Sequence, residues 1–220
     1  MRIRFIQTLG AGAIAALGVI MTGCNIIAPA YVLVHGPEKT PAAHQLDKAR
    51  PTVVFVDDRA SILARRSLRL HIAEAAQKAL LAEGALKNVI DASAALAVAS
   101  RETSAQPIEI TSLGKAVQAE VVIYVMVDSF GLSPDGQTFE PAATYHVKVI
   151  DCTKPDSPRI WPQEKEGHPV SARIVTRNAA APKNMGEQSA MLESLATSSG
   201  TSIAQLFYSH EAHEHLRDAK

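Results

Sequence analysis

Continuous and alternating runs of apolar residues along the chain predict the strands of a largely buried sheet. Residues 52–56 and 121–127 are almost wholly apolar and rich in β-branched side chains, a pattern typical of strands that are buried on both faces. Residues 143–150 instead alternate, with Tyr145 on one face and His146 on the other. We therefore expect 52–56 and 121–127 to be the central strands of the sheet.

Apolar residues repeated at helical spacing predict helices between and after these strands. A stripe through residues 61–83 ends at Gly84, where a helix terminus needs a left-handed residue, and a second long stripe covers residues 185–208. Both long helices are expected to pack on the sheet. Two shorter helices are also predicted, one from an N-cap at Asp91 or Ser93 through Ser100, and one over 113–119 capped by Thr111 or Ser112.

The remaining segments complete an α/β chain. The pattern predicts one domain over 51–209, built as a single mixed β-sheet packed by helices, and a polar, His-rich tail over 210–220. Shorter elements are predicted as strands over 86–90, 159–161 and 170–175, and as a turn over 133–136.

The start of the chain has the composition of a secretory signal. Arg2 and Arg4 precede a short apolar stretch that is too short to span a bilayer of about 30 Å as a helix. The stretch ends at Gly23 and Cys24 and resembles a bacterial lipobox, which implies cleavage after Gly23 and attachment of acyl chains such as palmitate at Cys24. Several acyl chains hold a protein firmly on a membrane. The alternative is a secreted protein whose cysteine falls there by chance.

Residues 1–23 are therefore predicted to be a lipoprotein signal peptide. Residues 24–50 are predicted to be a lipidated tether, because they hold Pro29, Pro37 and Pro41 with Gly36 and only a brief apolar patch at 31–34. Asn25 follows the lipidation site, whereas Asp at that position is the familiar inner-membrane retention signal of proteobacteria. We expect the protein to be anchored by lipid in the outer membrane and to face the periplasm.

Charge and cysteine content narrow the classes of partner. Loss of residues 1–23 would leave 197 residues with 20 basic and 22 acidic side chains, a formal charge of −2. This near-neutral balance argues against a nucleic acid partner or an anionic lipid surface. With Cys24 lipidated, Cys152 is the remaining cysteine, so stability is expected from packing rather than from an intramolecular disulfide.

The sequence shows few of the motifs that mark common enzyme active sites. The chain has no Gly-x-Ser-x-Gly motif and no phosphate-binding Gly-x-x-x-x-Gly-Lys loop. Cys152 follows Asp151, and a neighbouring carboxylate raises the pKa of a thiol, which favours a structural role over a nucleophile. Asp57 and Asp58 end a strand, where α/β folds often hold functional groups, but we favour the common use of such a pair in caps and turns.

Three residues near the chain end are the candidate metal ligands. On a continuing helix His210 would share a face with His213 and with Glu214. We favour a solvated terminal segment without metal, and we predict no cofactor. Trp161 and Tyr145 are likewise expected to be core residues rather than platforms on which a ligand stacks.

The order of elements resembles an α/β domain shared by three kinds of periplasmic protein. They are the curli-secretion lipoprotein, the lipoprotein activator of penicillin-binding proteins and the amino-terminal domain of the Tol-system propeller protein. The matching segments are a strand with a polar end (52–58), a strand end that includes an aspartate (88–91), a helix leading into a strong strand (114–123), and a strand pair closed by a tryptophan (147–151 and 159–161).

The chain departs from this family in two places. Residues 153–157 replace a tight Thr-Gly turn, and the chain lacks the long alternating hairpins with which the curli-secretion lipoprotein builds a pore. The resemblance implies a non-catalytic domain that binds proteins or other envelope components. We expect a binding or assembly module that is not an enzyme, with envelope proteins as partners and self-association left open. The alternatives are a subunit of an export or assembly complex, and an envelope hydrolase with an unrecognised site.

Overall fold

A computed structural model describes residues 39–101, 108–133, 138–154, 156, 158–174 and 181–211. The chain divides into two units, residues 1–40 and 41–220. In the first unit the described residues form a two-residue strand, β1 (Lys39–Thr40). The second unit carries every other element described below.

Strands and helices of the second unit follow the order expected for an α/β fold. Its strands are β2 (Thr52–Asp57), β3 (Val121–Gly131), β4 (Ala142–Asp151), β5 (Arg159–Trp161), β6 (His168–Arg173) and β7 (His210–Glu211). Its helices are α1 (Ser67–Ala82), α2 (Ala92–Ala99), α3 (Ile110–Ala116) and α4 (Met185–Ala204), and α4 runs into a short 3₁₀ turn, Gln205–Phe207.

One mixed sheet organises this unit. Within the described residues it has five strands in the order β2-β3-β4-β5, and β6 also pairs with β4. β2 and β3 are parallel, whereas β4 is antiparallel to β3, to β5 and to β6. Val125 lies opposite Val56 on one side and Val147 on the other. The predicted fold class, a mixed sheet packed by helices, is confirmed.

Strand β2 is fully buried although it stands at the end of the sheet. The prediction that both continuous apolar runs are central strands is therefore wrong for 52–56 and right for 121–127. The outer side of β2 is occupied by other parts of the chain. Ile90 donates its backbone N–H to Thr52 O at 2.8 Å, and Arg69 Nε donates to Val56 O at 2.9 Å. These contacts explain why an edge strand has the sequence of an inner one.

The two faces of the sheet are covered to different extents. Helices α1 and α4 seal one face along its length, and that core includes Leu68, Ile72 and Leu195 packed on β3 and β4. Helices α2 and α3 cover the other face only over β2, the first half of β3 and the end of β4. Half of that second face therefore has no helix packed on it among the described residues.

Helix α1 begins six residues later than the predicted start at residue 61. The Asp58 carboxylate accepts hydrogen bonds from the backbone N–H groups of Ile62 (2.7 Å) and Leu63 (3.1 Å), which holds this stretch in a turn. The C-terminal end agrees with the prediction, since Gly84 has φ +61°. The last predicted helix, 185–208, ends as α4 at Ala204 and continues as the 3₁₀ turn.

Two shorter predictions also need correction. Residues 86–90 do not form a strand, because Val89 makes a single bridge to Thr52 and the chain enters α2 directly afterwards, with Asp91 as N-cap. The helix predicted over 113–119 lies earlier, as α3, and its N-cap Glu109 makes no side-chain capping bond. Thr111 therefore lies inside the helix rather than at its cap.

Residues 41–50, which we call the strap, lie at the end of the sheet where β2 and β3 begin. The sequence analysis assigns them to the tether, yet they belong to the second unit. His44 donates its backbone N–H to Leu206 O at 3.1 Å, and Lys48 O accepts from Lys87 N at 3.0 Å. The strap is thus held at both of its ends.

Candidate functional site

The predicted lipidation site lies outside the described residues, since Gly23 and Cys24 belong to the segment before residue 39. His213 and Glu214 lie outside them as well. His210 is described, and its Nδ1 atom is 3.3 Å from Tyr208 O. Among the described residues no three His, Cys, Asp or Glu side chains are close enough to hold a metal ion. Within the same part of the chain, no helix is long and apolar enough to cross a membrane.

Cys152 is buried at the point where β4 ends. Burial, and secondly the charge of Asp151, raises the pKa of its thiol to about 11. The sequence analysis named only the carboxylate, so burial is the larger cause that it missed. Gly114 of α3 packs so closely on Cys152 that a Cβ at Gly114 would overlap the sulfur. A protonated thiol that fills the space beside a glycine is suited to packing rather than to nucleophilic attack.

The two aspartates after β2 have different surroundings. Asp58 holds the turn before α1, as described above. Asp57 is buried, and its Oδ2 atom accepts a hydrogen bond from Tyr124 Oη at 2.6 Å and pairs with Arg59 Nε at 3.0 Å. Phe55 stacks on Tyr124 with ring centroids 6.2 Å apart. Asp57 is therefore engaged in holding the strand end together.

Tyr145 and Trp161 both lie on the sealed face of the sheet. Tyr145 is fully buried and its hydroxyl donates to Ser199 Oγ at 2.7 Å. Burial raises the pKa of that hydroxyl well above its ordinary value. Trp161 is partly buried between His44 and His168, with ring centroids 5.5 and 4.8 Å away. Both rings contact the protein itself, as expected for core residues.

A polar surface covers the half of the second sheet face that α2 and α3 leave uncovered. Along β4 and β6 every second side chain is buried in the sealed core, and the residues between them are partly or fully exposed. We call this surface the open sheet face. It consists of Met126, Asp128, Thr144, His146, Lys148, Pro169, Ser171 and Arg173.

An acid–imidazole pair lies at the centre of the open sheet face. His146 Nδ1 is 2.6 Å from Asp128 Oδ2, and both side chains are about one-third exposed. Asp128 stands at an irregularity in β3, where the register to β4 shifts between Val127 and Ser129. The alternation of β4 predicted the position of His146. The position of Asp128 depends on the register shift, which no local pattern in the sequence indicates.

Next to this pair lie two hydroxyl groups and a cation. Ser129 Oγ and Thr144 Oγ1 are 2.7 Å apart and hydrogen bond to each other. Lys148 is partly buried, and burial together with the charge of Arg159 lowers the pKa of its ammonium. The surface therefore combines a carboxylate, basic side chains, hydroxyls and an imidazole on three neighbouring strands, β3, β4 and β6.

A partly buried ion cluster, which no local sequence pattern indicated, joins the strap to the sheet. Arg50 donates to both oxygens of Asp151, at 2.8 and 3.1 Å, and to Glu120 Oε2 at 2.9 Å. Thr153 donates its N–H and hydroxyl to Asp151 Oδ1 at 2.9 and 2.6 Å. The hydrogen bonds from Arg50 hold the pKa of Asp151 far below its ordinary value, although burial acts in the opposite direction.

A second exposed feature is an open groove of about 520 Å³ between α1 and α4. Small side chains such as Ala75 and Ala79 lie along it, and Glu74, Lys78 and Thr197 are among its polar groups. His71 Nδ1 is buried there without a hydrogen-bond partner in the described part of the chain. The groove is open, so it offers a surface rather than an enclosed reaction chamber.

Comparison with known proteins gives no family for this chain, since no family model and no curated protein matches it. Solved structures give weak likenesses. The hypothetical protein CT253 from Chlamydia trachomatis has a TM-score of 0.43 at 16% identity, covering 73% of this chain and 98% of its own. A PelC dodecamer from Paraburkholderia phytofirmans has 0.39 at 15%, covering 78% and 97%. Lipoprotein GNA1162 from Neisseria meningitidis has 0.36 at 14%, covering 66% and 91%. At these levels the likenesses carry no argument, and the proposals below rest on the chain itself.

Proposed function

We propose that this protein is a lipid-anchored cell-envelope lipoprotein that acts, without catalysis of its own, as a binding or assembly module. Its contact surface is the open sheet face. The observation that carries this proposal is the alternating burial of side chains along β4 and β6. One set of side chains is buried under the helices, and the set between them is partly or fully exposed to solvent. The uncovered half lies on the antiparallel strands β3, β4 and β6, and antiparallel sheets can leave one face accessible to solvent and thus to a partner.

The chemistry of the open sheet face favours a polar protein surface as partner. Asp128 is acidic, Lys148 and Arg173 are basic, and Ser171 and Thr144 offer hydroxyl groups. Surfaces that bind nucleic acids are dominated by basic residues, and surfaces that enter lipid are apolar. A surface of mixed charge, with hydroxyl groups between the charges, can form hydrogen bonds and ion pairs with another envelope protein.

One observation favours a second candidate, an envelope hydrolase. A carboxylate that orients an imidazole near a hydroxyl is the arrangement used in nucleophilic catalysis, and Asp128, His146 and Thr144 lie together on the open sheet face. Against this candidate, the Thr144 hydroxyl is engaged in a hydrogen bond with Ser129. Replacing His146 by alanine separates the candidates. A hydrolase would lose its cellular activity while partner binding stayed intact.

A photo-cross-linking side chain at Ser171 is expected to capture one partner of discrete mass in the native membrane. Ser171 is exposed on the open sheet face, in strand β6, where it lies opposite Thr144. The matched control is the same probe at Glu83, which is exposed at the end of α1. Reversing the charge of Lys148 to glutamate should weaken the Ser171 adduct at least fivefold. Equal adducts from Glu83, or capture only by a probe at Lys78 in the α1–α4 groove, would contradict the proposed surface.

The lipid anchor is tested at Cys24. The Cys24→Ser variant is expected to lose membrane association and to appear in the soluble fraction, because the acyl chains on Cys24 supply the free energy of membrane binding in the wild type. Mass spectrometry of the amino terminus should find an acylated Cys24 in the wild type. The Asn25→Asp variant is a matched control, which should stay lipidated and move to the inner-membrane fraction of a density gradient. A Cys24→Ser protein that still pellets with membranes would refute the anchor.

A further inference from the structure

The amino-terminal half of the strap is held mainly by ring contacts and one backbone hydrogen bond. The His44 ring stacks on Trp161, with centroids 5.5 Å apart and planes 16° from parallel, and meets the edge of Phe207 at 6.5 Å. Its backbone N–H donates to Leu206 O at 3.1 Å. Leu46 packs against the sealed core. Of these contacts, the ring of His44 is the part that can change its charge near neutral pH.

The carboxyl-terminal half of the strap is held by ion pairs and a hydrogen bond. Arg50 is paired with Asp151 and Glu120, and Ala49 O accepts from Asn88 Nδ2 at 2.9 Å. Between the two halves the strap covers a cavity of about 170 Å³, lined by Val121, Val149 and Ile160 of the sheet among others. The strap can therefore open at His44 while it stays attached at Arg50.

The groups that face His44 give little support to a positive charge. From β5 and the 3₁₀ turn it meets the rings of Trp161 and Phe207, and β3 and β4 contribute apolar side chains to the shared cavity. His168 of β6 lies against the same Trp161. Asp47 and Arg50 of the strap also line the cavity, but Asp47 Oδ1 accepts from Ala49 N and Arg50 is held by its acids. Burial lowers the pKa of His44 below 6.5.

We propose that the strap is a releasable latch, in which protonation of His44 frees residues 41–46 from Trp161 while Arg50 stays bound. Release would expose Trp161 and the apolar residues that line the cavity beneath the strap.

The direction of the pH effect follows from linkage. The docked strap holds His44 with a lowered pKa, so docking is favoured while the ring is neutral, above the ordinary value of 6.5. As the pH falls below that value, the His44 ring binds a proton more readily in the free strap than in the docked strap. One pH unit below 6.5, the ratio of open to docked strap should have risen, with about tenfold as the upper limit that applies when the docked ring stays fully neutral.

Hydrogen–deuterium exchange of the full-length lipoprotein in detergent micelles tests this latch. The amide of His44, corrected for intrinsic exchange, should open more often at pH 5.5 than at pH 7.5, by up to about tenfold. The amide of Lys87, which donates to Lys48 O, should keep its protection and serves as the internal control. Emission of Trp161, the single tryptophan, should titrate with the same midpoint.

Variants identify the titrating group. His44→Phe keeps an aromatic ring on Trp161 and should remove the pH dependence, whereas His168→Phe and His146→Phe should retain it. Unchanged protection of His44 at both pH values, or a pH dependence that survives in His44→Phe, would overturn the latch. Tighter docking at pH 5.5 would overturn it as well, because it would show that the cation–ring attraction outweighs burial. None of these outcomes depends on Cys24, which the fractionation experiment tests separately.

Discussion

Replacing Gly200 by valine is expected to lower the free energy of unfolding by about 4 kcal/mol or more, enough to unfold much of the protein. Gly200 of α4 lies against α1 so closely that an added Cβ would be 2.5 Å from Ile72 O, 2.6 Å from Ala75 Cβ and 2.7 Å from Ala76 N. Two of these atoms belong to the backbone of α1 and cannot rotate away. The helices must therefore separate, which would open the core between them and the sheet.

Urea denaturation followed by far-UV circular dichroism measures this loss. Ser194→Val is the matched control, since Ser194 is exposed on the same helix and should cost only a few tenths of a kcal/mol through helix propensity. Gly200→Ala should already be destabilising, although alanine has the higher helix propensity. Adding Ala75→Gly to Gly200→Val should not restore stability, because the backbone contacts remain. A wild-type denaturation midpoint for Gly200→Val would show that the two helices are not this close.

The strands could be predicted from the sequence because burial on two faces and burial on one face leave different patterns. The continuous run at 121–127 and the alternating run at 143–150 correspond to β3 and β4. The continuous apolar pattern also predicted that 52–56 is a central strand, and this was wrong. A strand at the edge of a sheet can be buried when loops and side chains cover it. Hydrophobic pattern reports burial, and position within a sheet depends on partners that are distant in sequence.

Local hydrogen bonds account for the remaining differences in the fold. Apolar residues at 62 and 63 extended the predicted first helix to residue 61, but Asp58 competes for the N–H groups that a helix start leaves unpaired. The strand predicted over 86–90 has suitable side chains. Only Val89 pairs with Thr52, however, before the chain enters α2 at its N-cap Asp91, a capping role that the sequence did predict.

The candidate site was partly predictable because successive side chains of a strand point to opposite faces of the sheet. Alternation in β4 placed His146 and Lys148 on the side opposite Tyr145, which is where the open sheet face lies. The partner of His146 comes from β3, 18 residues earlier, at a register shift. The ion cluster of the strap joins residues 101 positions apart. Pairings over such separations depend on how the chain folds back, which one sequence does not reveal.

Replacing Arg50 by methionine is expected to lower the free energy of unfolding at pH 7 by about 3 kcal/mol. Asp151 is only 3% exposed, whereas Arg50 is 22% exposed, so the variant would leave a buried carboxylate with Lys154, at 3.9 Å, as a remaining cation. Arg50→Lys should recover only part of the loss, because one ammonium cannot replace a guanidinium that holds both oxygens of Asp151 and also Glu120. Glu120→Gln, at a half-exposed position, should cost less than about 1 kcal/mol.

The pH dependence of this loss distinguishes a buried charge from lost packing. The pKa of Asp151 is depressed in the folded protein, so its contribution is present above the ordinary carboxyl value of 3.8 and is lost as the pH falls through the folded value. Loss of Arg50 removes the largest cause that lowers the pKa of Asp151, while burial still opposes its charge, so Asp151 is protonated at a higher pH in the variant than in the wild type. The difference between wild type and Arg50→Met should therefore be constant from pH 7 to 6 and smaller at pH 3. A second substitution can remove the same negative charge as protonation does. Adding Asp151→Leu to Arg50→Met should therefore restore much of the stability, because no unpaired charge is then buried. A difference that stays the same at pH 3 would mean that the methionine is destabilising through its packing alone.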